Sequence, residues 1–202
     1  CMARKTQTDR LLDYVRDRGM VRPRDLESLD IPRAVLKRLV DRGKLIRRSR
    51  GVYTVPDHEP TRHTDLAEVC ARAPGATVCL ISALDFHELT TQIPHAVWIM
   101  IDRSGRRPKI ERLPIHIVYA SGEARTAGVE THEVEGVTVA LTNPAKTVAD
   151  CFKYRDHVGQ DVAIEALRDC LRQRKATPSD IYEMAKIDRV SKRVRPYIEA
   201  LA

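Results

Sequence analysis

The apolar residues near the start of the chain recur first at the spacing of helices and then at the spacing of strands. Thr6 or Thr8 suits the N-cap of a first helix. Pro32 suits the first turn of a third helix, where its missing N–H costs nothing, and Gly43 suits the residue after its last turn. The segments that place apolar residues every three or four positions, as amphipathic helices do, are Thr6–Arg18, Pro23–Leu29 and Pro32–Arg42.

Two short apolar runs follow and predict a β-hairpin rich in arginine. The predicted strands are Leu45–Ile46 and Val52–Val55, joined by Arg47–Gly51, in which Gly51 supplies the backbone freedom of a tight turn. Three helices followed by a hairpin are the pattern of a winged helix-turn-helix, whose third helix enters the DNA major groove. A plain three-helix bundle with solvated arginines is the alternative.

The pattern of the next hundred or so residues predicts a small sheet with helices around it. A helix over Thr64–Ala73 comes first, and after the apolar run Ala76–Ile81 a second helix is capped by Ser82 and ends near Leu89. Val97–Ile101 is apolar at successive positions, which predicts a strand buried on both faces. The other predicted strands are 113–119, 129–134 and 137–141, with a turn at Glu135-Gly136 between the last two.

From Asn143 onward the pattern is helical. The predicted helices are 144–154, 161–174, 179–187 and 190–201, the first capped by Thr142 or Asn143 with Pro144 in its first turn. The predicted fold class is therefore α+β in two domains. A winged helix-turn-helix occupies 1–56, a polar linker with prolines occupies 57–63, and a mixed α/β domain with a small central sheet and C-terminal helices occupies 64–202.

The positive charge of the chain is confined to its N-terminal part. The whole chain carries 35 Lys and Arg against 28 Asp and Glu, a net charge of +7. Residues 1–56 hold 15 of the basic and 7 of the acidic residues, net +8, which leaves the remainder at net −1. A small domain that carries the entire positive excess is suited to a polyanion such as double-stranded DNA.

Basic residues of the third helix and of the hairpin are the candidate DNA-binding residues. Arginine binds guanine edges or phosphates with two hydrogen bonds, and a wing contacts phosphates or the minor groove. The candidates are Arg33, Lys37, Arg38, Arg42, Lys44, Arg47, Arg48 and Arg50. A second basic loop, Arg103–Lys109, is either a solvated turn or an additional contact for DNA or a protein.

No motif in the sequence predicts a catalytic centre, a metal site or a cofactor. His87-Glu88 lacks the second His that a zinc protease needs four residues on, because Thr91 stands there. No Glu-x-Lys or Gln-x-Lys triplet of a metal-dependent nuclease follows the strand that ends at Asp102. The five cysteines form no C-x-x-C pair and are interpreted as reduced core thiols, Cys151 included. With no signal peptide and no apolar run long enough to cross a bilayer, a cytoplasmic location is expected.

Several segments of the chain resemble the AbiEi-type antitoxins of type IV toxin–antitoxin systems, which also serve as viral-defence regulators. In the N-terminal part the resemblance rests on Leu39–Leu45 and Arg50–Tyr53. The more specific segments are Ser82-Ala83-Leu84 with His87–Thr90 and Pro94, and Pro144–Phe152 with Tyr154-Arg155.

The resemblance implies two activities. The winged helix would repress the toxin–antitoxin operon by binding inverted repeats at its promoter. The C-terminal domain would oppose a nucleotidyltransferase-like toxin without requiring a stable complex. The motif residues Ser82, Lys146, Thr147 and Asp150 are expected to be structural, and Lys146 with Asp150, one helical turn apart, is expected to form a surface ion pair.

The sequence therefore predicts a DNA-binding autorepressor and antitoxin that is not an enzyme. Two alternatives of other classes stay open at this point. One is a winged-helix repressor that senses a small molecule in its α/β domain, and the other is an enzyme that the winged helix delivers to nucleic acid.

Overall fold

The computed structural model describes residues 5–201, so Cys1 lies outside the described residues. The chain forms two compact units. The first comprises the residues up to 74 together with 133–138, and the second comprises 75–132 and the residues from 139 onward. The α+β class predicted from the sequence is confirmed, while the proposed boundary at residues 57–63 stays a prediction.

The first unit begins with the elements of a winged helix-turn-helix. Their bounds are α1 Gln7–Arg18, α2 Asp25–Ser28, α3 Arg33–Asp41, β1 Ile46–Ser49 and β2 Val52–Thr54, and α4 follows at Thr64–Arg72. Val21 forms an isolated bridge with Tyr53 through backbone hydrogen bonds of 2.9 and 3.0 Å, which adds a third short partner to the hairpin. The hydrophobic core of the winged helix-turn-helix is built from one face each of α1, α2 and α3 and includes Leu11, Val15, Leu36, Leu39 and Leu45.

Local chemistry explains where the first helix begins and ends. Thr6 is the N-cap of α1, and its hydroxyl accepts a hydrogen bond from the Asp9 amide at 3.2 Å. The Asp9 carboxylate accepts one from the Thr6 amide in return, which completes a capping box. Gly19 ends the helix with φ +88°, a conformation that glycine adopts without strain.

The hairpin turn is shorter than the sequence prediction. β1 continues through Ser49, so the turn consists of Arg50 and Gly51, with Gly51 at φ +75°. The register between the strands shifts between Arg47 and Ser49, which allows this irregular ribbon to close. Arg47 and Arg48 therefore lie on a strand, while Arg50 lies on the turn.

The segment 133–138 of the first unit contains a tight turn at Glu135 and Gly136, and the Glu135 carboxylate is well bonded. Glu135 has φ +48° and precedes Gly136 at φ +73°. Its carboxylate accepts hydrogen bonds from the hydroxyls of Thr61, at 2.5 Å, and Thr64, and lies 3.2 Å from the ring of His58. Despite its partial burial, these bonds hold the pKa of Glu135 below its ordinary value.

A five-stranded sheet, built mostly from residues of the second unit, lies at the centre of that unit as the structure describes it. The strands are β3 Thr77–Val78, β4 Val97–Asp102, β5 Ile115–Ala120, β6 Val129–Val134 and β7 Val137–Thr142. Their order is β5-β4-β3-β7-β6, with β3 antiparallel to β4 and parallel to β7, and β4 parallel to β5. The predicted strand at 97–101 is interior, as expected, but the middle strand is the two-residue β3.

Helices pack with this sheet and make up the C-terminal part of the unit. They are α5 Leu80–Phe86, α6 Glu123–Thr126, α7 Pro144–Lys153, α8 Arg155–Val158, α9 Gln160–Arg172, α10 Pro178–Ile187 and α11 Ser191–Leu201. The sequence did not predict α6 and α8, because a single turn carries no periodic pattern. Asn143 caps α7, and Thr177 caps α10 through a capping box with Asp180.

The start of α5 differs from the sequence prediction. Ser82 does not cap this helix, which begins at Leu80 with Cys79 in the N-cap position. Leu80 has φ +49°, so the chain turns from β3 into the helix over very few residues. The Ser82 hydroxyl instead accepts a hydrogen bond from the Trp98 amide at 2.9 Å and thereby connects α5 to β4.

Candidate nucleic-acid interface and the buried motif cluster

The candidate DNA-binding side chains lie on α3, directly after it and on the hairpin. Val35, Leu36 and Leu39 turn the apolar face of α3 into the core, so its basic residues are left on the solvent side. Seven of the eight candidates are exposed: Arg33, Lys37, Arg38, Arg42, Lys44, Arg47 and Arg50.

These seven side chains carry charge that the described part of the protein does not neutralise. None of them forms an ion pair with another described residue. Arg38 makes one long hydrogen bond to the Thr8 hydroxyl at 3.5 Å, and Arg47 makes one to the Ser49 carbonyl at 3.4 Å. A helix and a ribbon with unpaired cations form an interface suited to phosphates and base edges.

Arg48 differs from the other candidates because protein carboxylates already hold its side chain. Its Nε donates a hydrogen bond to Glu68 at 2.8 Å, and Asp65 lies 3.7 Å from the same guanidinium. The Glu68 side chain is only 4% exposed, so the pair is shielded from water. In this conformation Arg48 connects the wing to α4.

The family-motif residue Lys146 is fully buried on α7, and this overturns the expected surface ion pair. Its ammonium group donates hydrogen bonds to Asp150 on the same helix and to Asp188 at 3.0 Å. All three side chains have no exposed area. Lys153 reaches the other oxygen of Asp188 at 3.0 Å. We call Lys146, Asp150, Asp188 and Lys153 the motif cluster.

Burial and charge act against each other in this motif cluster. Burial alone would lower the pKa of Lys146, but the carboxylates of Asp150 and Asp188 raise it above its ordinary value. Burial raises the pKa of Asp150 to about 7, against the attraction of Lys146. One oxygen of Asp150 has no hydrogen-bond partner among the described residues. The cluster therefore holds a lysine that stays charged beside a carboxyl group that resists ionisation.

Thr147 and Asn143 fix the start of the helix that carries the motif cluster. The Asn143 side chain accepts a hydrogen bond from the Lys146 amide at 2.9 Å. The Thr147 hydroxyl lies 2.9 Å from the Thr142 carbonyl and 2.8 Å from the Asn143 carbonyl. These contacts give Thr147 a structural role.

Sequence reasoning missed two residues that complete these sites, Asp188 and Glu68. Asp188 follows the end of α10, and Glu68 lies on α4, each far along the chain from its partner. Neither belongs to a motif. The signal for an acidic partner such as Asp188 is the run of small and apolar residues around Lys146 in the sequence of α7. Such a run indicates a buried helix, and a buried lysine requires an acidic partner.

The described residues offer little for metal or thiol chemistry. No group of three His, Cys, Asp or Glu side chains within residues 5–201 could hold a metal ion. Cys70, Cys79, Cys151 and Cys170 are buried and free, as the sequence indicated. Burial raises the pKa of Cys70 to about 12 and that of Cys151 further, so these groups remain thiols at neutral pH. Over the same range, no helix is both long and apolar enough to span a bilayer.

Two comparisons with known proteins give matches, one to residues 9–56 and one to most of the chain. Residues 9–56 match the family model described as transcriptional regulator, AbiEi antitoxin. The crystal structure of the RV2827C protein from Mycobacterium tuberculosis is 15% identical and matches with a TM-score of 0.57, covering 91% of this chain and 72% of that one. At this identity the match shows a shared fold. No curated protein matches the chain. The resemblance of this chain to the AbiEi antitoxin family of transcriptional regulators is therefore confirmed, through the match of its winged helix-turn-helix over residues 9–56.

Proposed function

We propose that the protein is a cytoplasmic DNA-binding autorepressor and the antitoxin of a type IV toxin–antitoxin operon. Its winged helix-turn-helix binds inverted repeats in the promoter of that operon. Its C-terminal domain opposes a nucleotidyltransferase-like toxin without requiring a stable complex. A regulator that binds promoter DNA acts where that DNA is, which is the basis for the proposed location.

The observation that supports DNA binding is the set of seven exposed cations on α3, after it and on the wing. They form no ion pair among the described residues, and they lie within residues 1–56, which carry a net charge of +8 against −1 for the remainder of the chain. Each phosphate that such a side chain neutralises releases a condensed counterion, so binding weakens steeply with salt. Arg48 is a weaker candidate than the others because Glu68 already binds it.

The proposed opposition to a toxin rests on the resemblance of the second unit. The segments Ser82–Leu84 and Pro144–Phe152 carry it. In the structure, both segments lie on buried helices, α5 and α7. Their motif side chains therefore shape the unit, and a toxin would contact other residues on its surface.

Promoter binding is tested with a duplex that carries the sequence upstream of the gene's own start codon. The variant Arg47→Ala/Arg50→Ala should lose about 1 kcal/mol or more of DNA-binding free energy per contact removed. The slope of log K against log salt should become shallower by about two. Lys192→Ala/Arg193→Ala is the matched control, since both residues are exposed, form no ion pair with another described residue and lie on α11 of the second unit. An unchanged slope for the wing variant, or equal losses in both variants, contradicts the assignment.

Antitoxin activity is tested with the same full-length wing variant. Co-expressed with the toxin encoded beside it, this variant should still relieve growth arrest although it binds the promoter more weakly. If protection disappears together with DNA binding while the protein stays folded, the proposed division of labour is wrong. Reporter expression from the promoter in the absence of toxin separates repression from protection.

A further inference from the structure

A cavity of about 610 Å³ in the second unit is lined by more basic than acidic side chains. It lies beside the end of β5 and the end of α10, and four of its lining residues are cationic: Arg103, Lys153, Lys186 and Arg189. The second unit as a whole holds 18 Lys and Arg against 15 Asp and Glu, a net charge of +3, so four cations against two carboxylates at one cavity are a local concentration of positive charge.

The two carboxylates at this cavity do not cancel its charge. Glu123 is exposed at the edge. Asp188 is fully buried, and its two oxygens already contact Lys146 and Lys153, each at 3.0 Å. The negative charge of Asp188 is therefore compensated from within the motif cluster. Of the other three cations of the cavity, Lys186 is paired with Glu183 at 2.6 Å, which leaves Arg103 and Arg189.

Two of these cations are available for a ligand. Arg103 and Arg189 are exposed and form no ion pair with another described residue. Arg189 follows the C-cap of α10 with φ +59°, a position where glycine is the usual residue. A positive φ is strained for arginine, so the backbone at Arg189 costs conformational energy. In spite of this cost, Arg189 places a guanidinium group at the cavity wall.

The size and the remaining wall indicate the class of ligand. Cavities of about 300–1,000 Å³ accommodate small organic molecules, so this one exceeds what a single inorganic ion needs. Tyr119 lines it and is 42% exposed, which offers an aromatic surface beside the cations. We propose that the cavity binds an organic phosphate with two or more negative charges, whose phosphate groups contact Arg103 and Arg189 and whose organic part lies against Tyr119.

The proposal is tested by isothermal titration of the full-length protein with ADP and, separately, with pyrophosphate at physiological salt. Both probes should bind with saturation, and ADP should bind more tightly because only ADP has a part that reaches Tyr119. The variant Arg103→Ala/Arg189→Gly should weaken both by about tenfold or more. Glycine suits φ +59°, so this variant does not strain the backbone.

The matched control removes the same charge from the same surface region. Arg106 and Arg107 are exposed neighbours of Arg103 that do not line the cavity, so Arg106→Ala/Arg107→Ala should bind both probes as the wild type does. Absence of saturable binding, or equal weakening in both variants, overturns the proposal. If pyrophosphate binds as tightly as ADP, the organic part of the ligand contributes nothing to binding, and the assignment of Tyr119 is overturned.

The winged helix is also cationic, so the test must exclude it as the binding site. The Arg47→Ala/Arg50→Ala variant should bind ADP and pyrophosphate unchanged while its binding to promoter DNA weakens. If the probes are lost with the wing arginines instead, they bind the DNA interface and the cavity is not their site. Failure of the cavity proposal leaves promoter binding intact, and the reverse also holds.

Discussion

Replacing Lys146 with methionine tests whether the motif cluster stabilises the second unit. Methionine keeps a long, flexible, apolar stem but removes the ammonium group between Asp150 and Asp188. Asp188 retains Lys153 at 3.0 Å, whereas Asp150 is left fully buried without a cation. The variant therefore isolates one uncompensated carboxylate.

The expected loss is largest above neutral pH, where the Asp150 carboxyl group of the wild type is ionised. Removing one partner of a buried ion pair costs about 3–5 kcal/mol of unfolding free energy, because the remaining charge cannot return to water. A second variant, Lys146→Met/Asp150→Leu, also removes that charge. It should be more stable than the single variant, since replacing a whole buried pair with apolar groups is often neutral or stabilising.

The loss should also depend on pH in a defined direction. Burial raises the pKa of Asp150 to about 7 from an ordinary value of 3.8, so the folded protein holds this proton more tightly than the unfolded chain does. The folding stability that comes from binding this proton is fully present when the pH is below the ordinary pKa of 3.8, and it is lost as the pH rises through about 7. Without Lys146 the pKa of Asp150 rises further, and Lys146→Met should approach wild-type stability at about pH 5 and fall well below it at about pH 8.

Urea unfolding followed by tryptophan fluorescence measures this loss. Trp98 is the single tryptophan of the chain and lies on β4, so its emission reports the second unit. A change below about 1 kcal/mol at both pH values would refute a buried ion pair at this site. The same conclusion would follow if the double variant were no more stable than Lys146→Met.

Three further predictions concern single contacts. Arg48→Ala should lower the unfolding free energy of the first unit by about 1–2 kcal/mol, because Glu68 stays buried without its cation. The same variant should leave the salt slope of DNA binding unchanged. Urea unfolding followed by circular dichroism measures the stability, and DNA titration measures the slope. Thr177→Ala removes a capping box and should cost about 1 kcal/mol in the Trp98 assay. Glu135→Gln should reduce the loss of first-unit stability in acid. The pKa of Glu135 lies below its ordinary value, so the stability that its carboxylate contributes is present above the ordinary pKa and disappears as the pH falls. Melting temperatures between about pH 6 and 3 measure this pH dependence.

Sequence reasoning worked where neighbouring residues decide the structure. The N-cap of α1 depends on Thr6 and Asp9, three positions apart, and that of α7 depends on Asn143 and Pro144. The winged-helix order follows from apolar spacing that changes over a few positions. Exposure of the α3 cations follows in the same way, because the buried stripe of an amphipathic helix determines its opposite face.

Sequence reasoning failed where distant residues decide. Lys146 and Asp150 have the spacing of a surface pair, and only the packing of other helices around α7 buries them. Arg48 looks like its neighbours in the sequence, yet Glu68, twenty positions on, holds it. Leu80 starts α5 at a positive φ that no propensity favours for leucine, so the helix start could not be placed from its residues.

The brevity of β3 has a consequence for how the second unit folds. Thr77 and Val78 pair with Met100 and Ile99 on one side and with Ala140 and Leu141 on the other, so two residues join the two halves of the sheet. The second set of pairs closes a loop of more than sixty residues, a slow and entropically costly step. We therefore expect the sheet to become continuous only late in folding, and amide exchange at these two residues measures whether the two halves have joined.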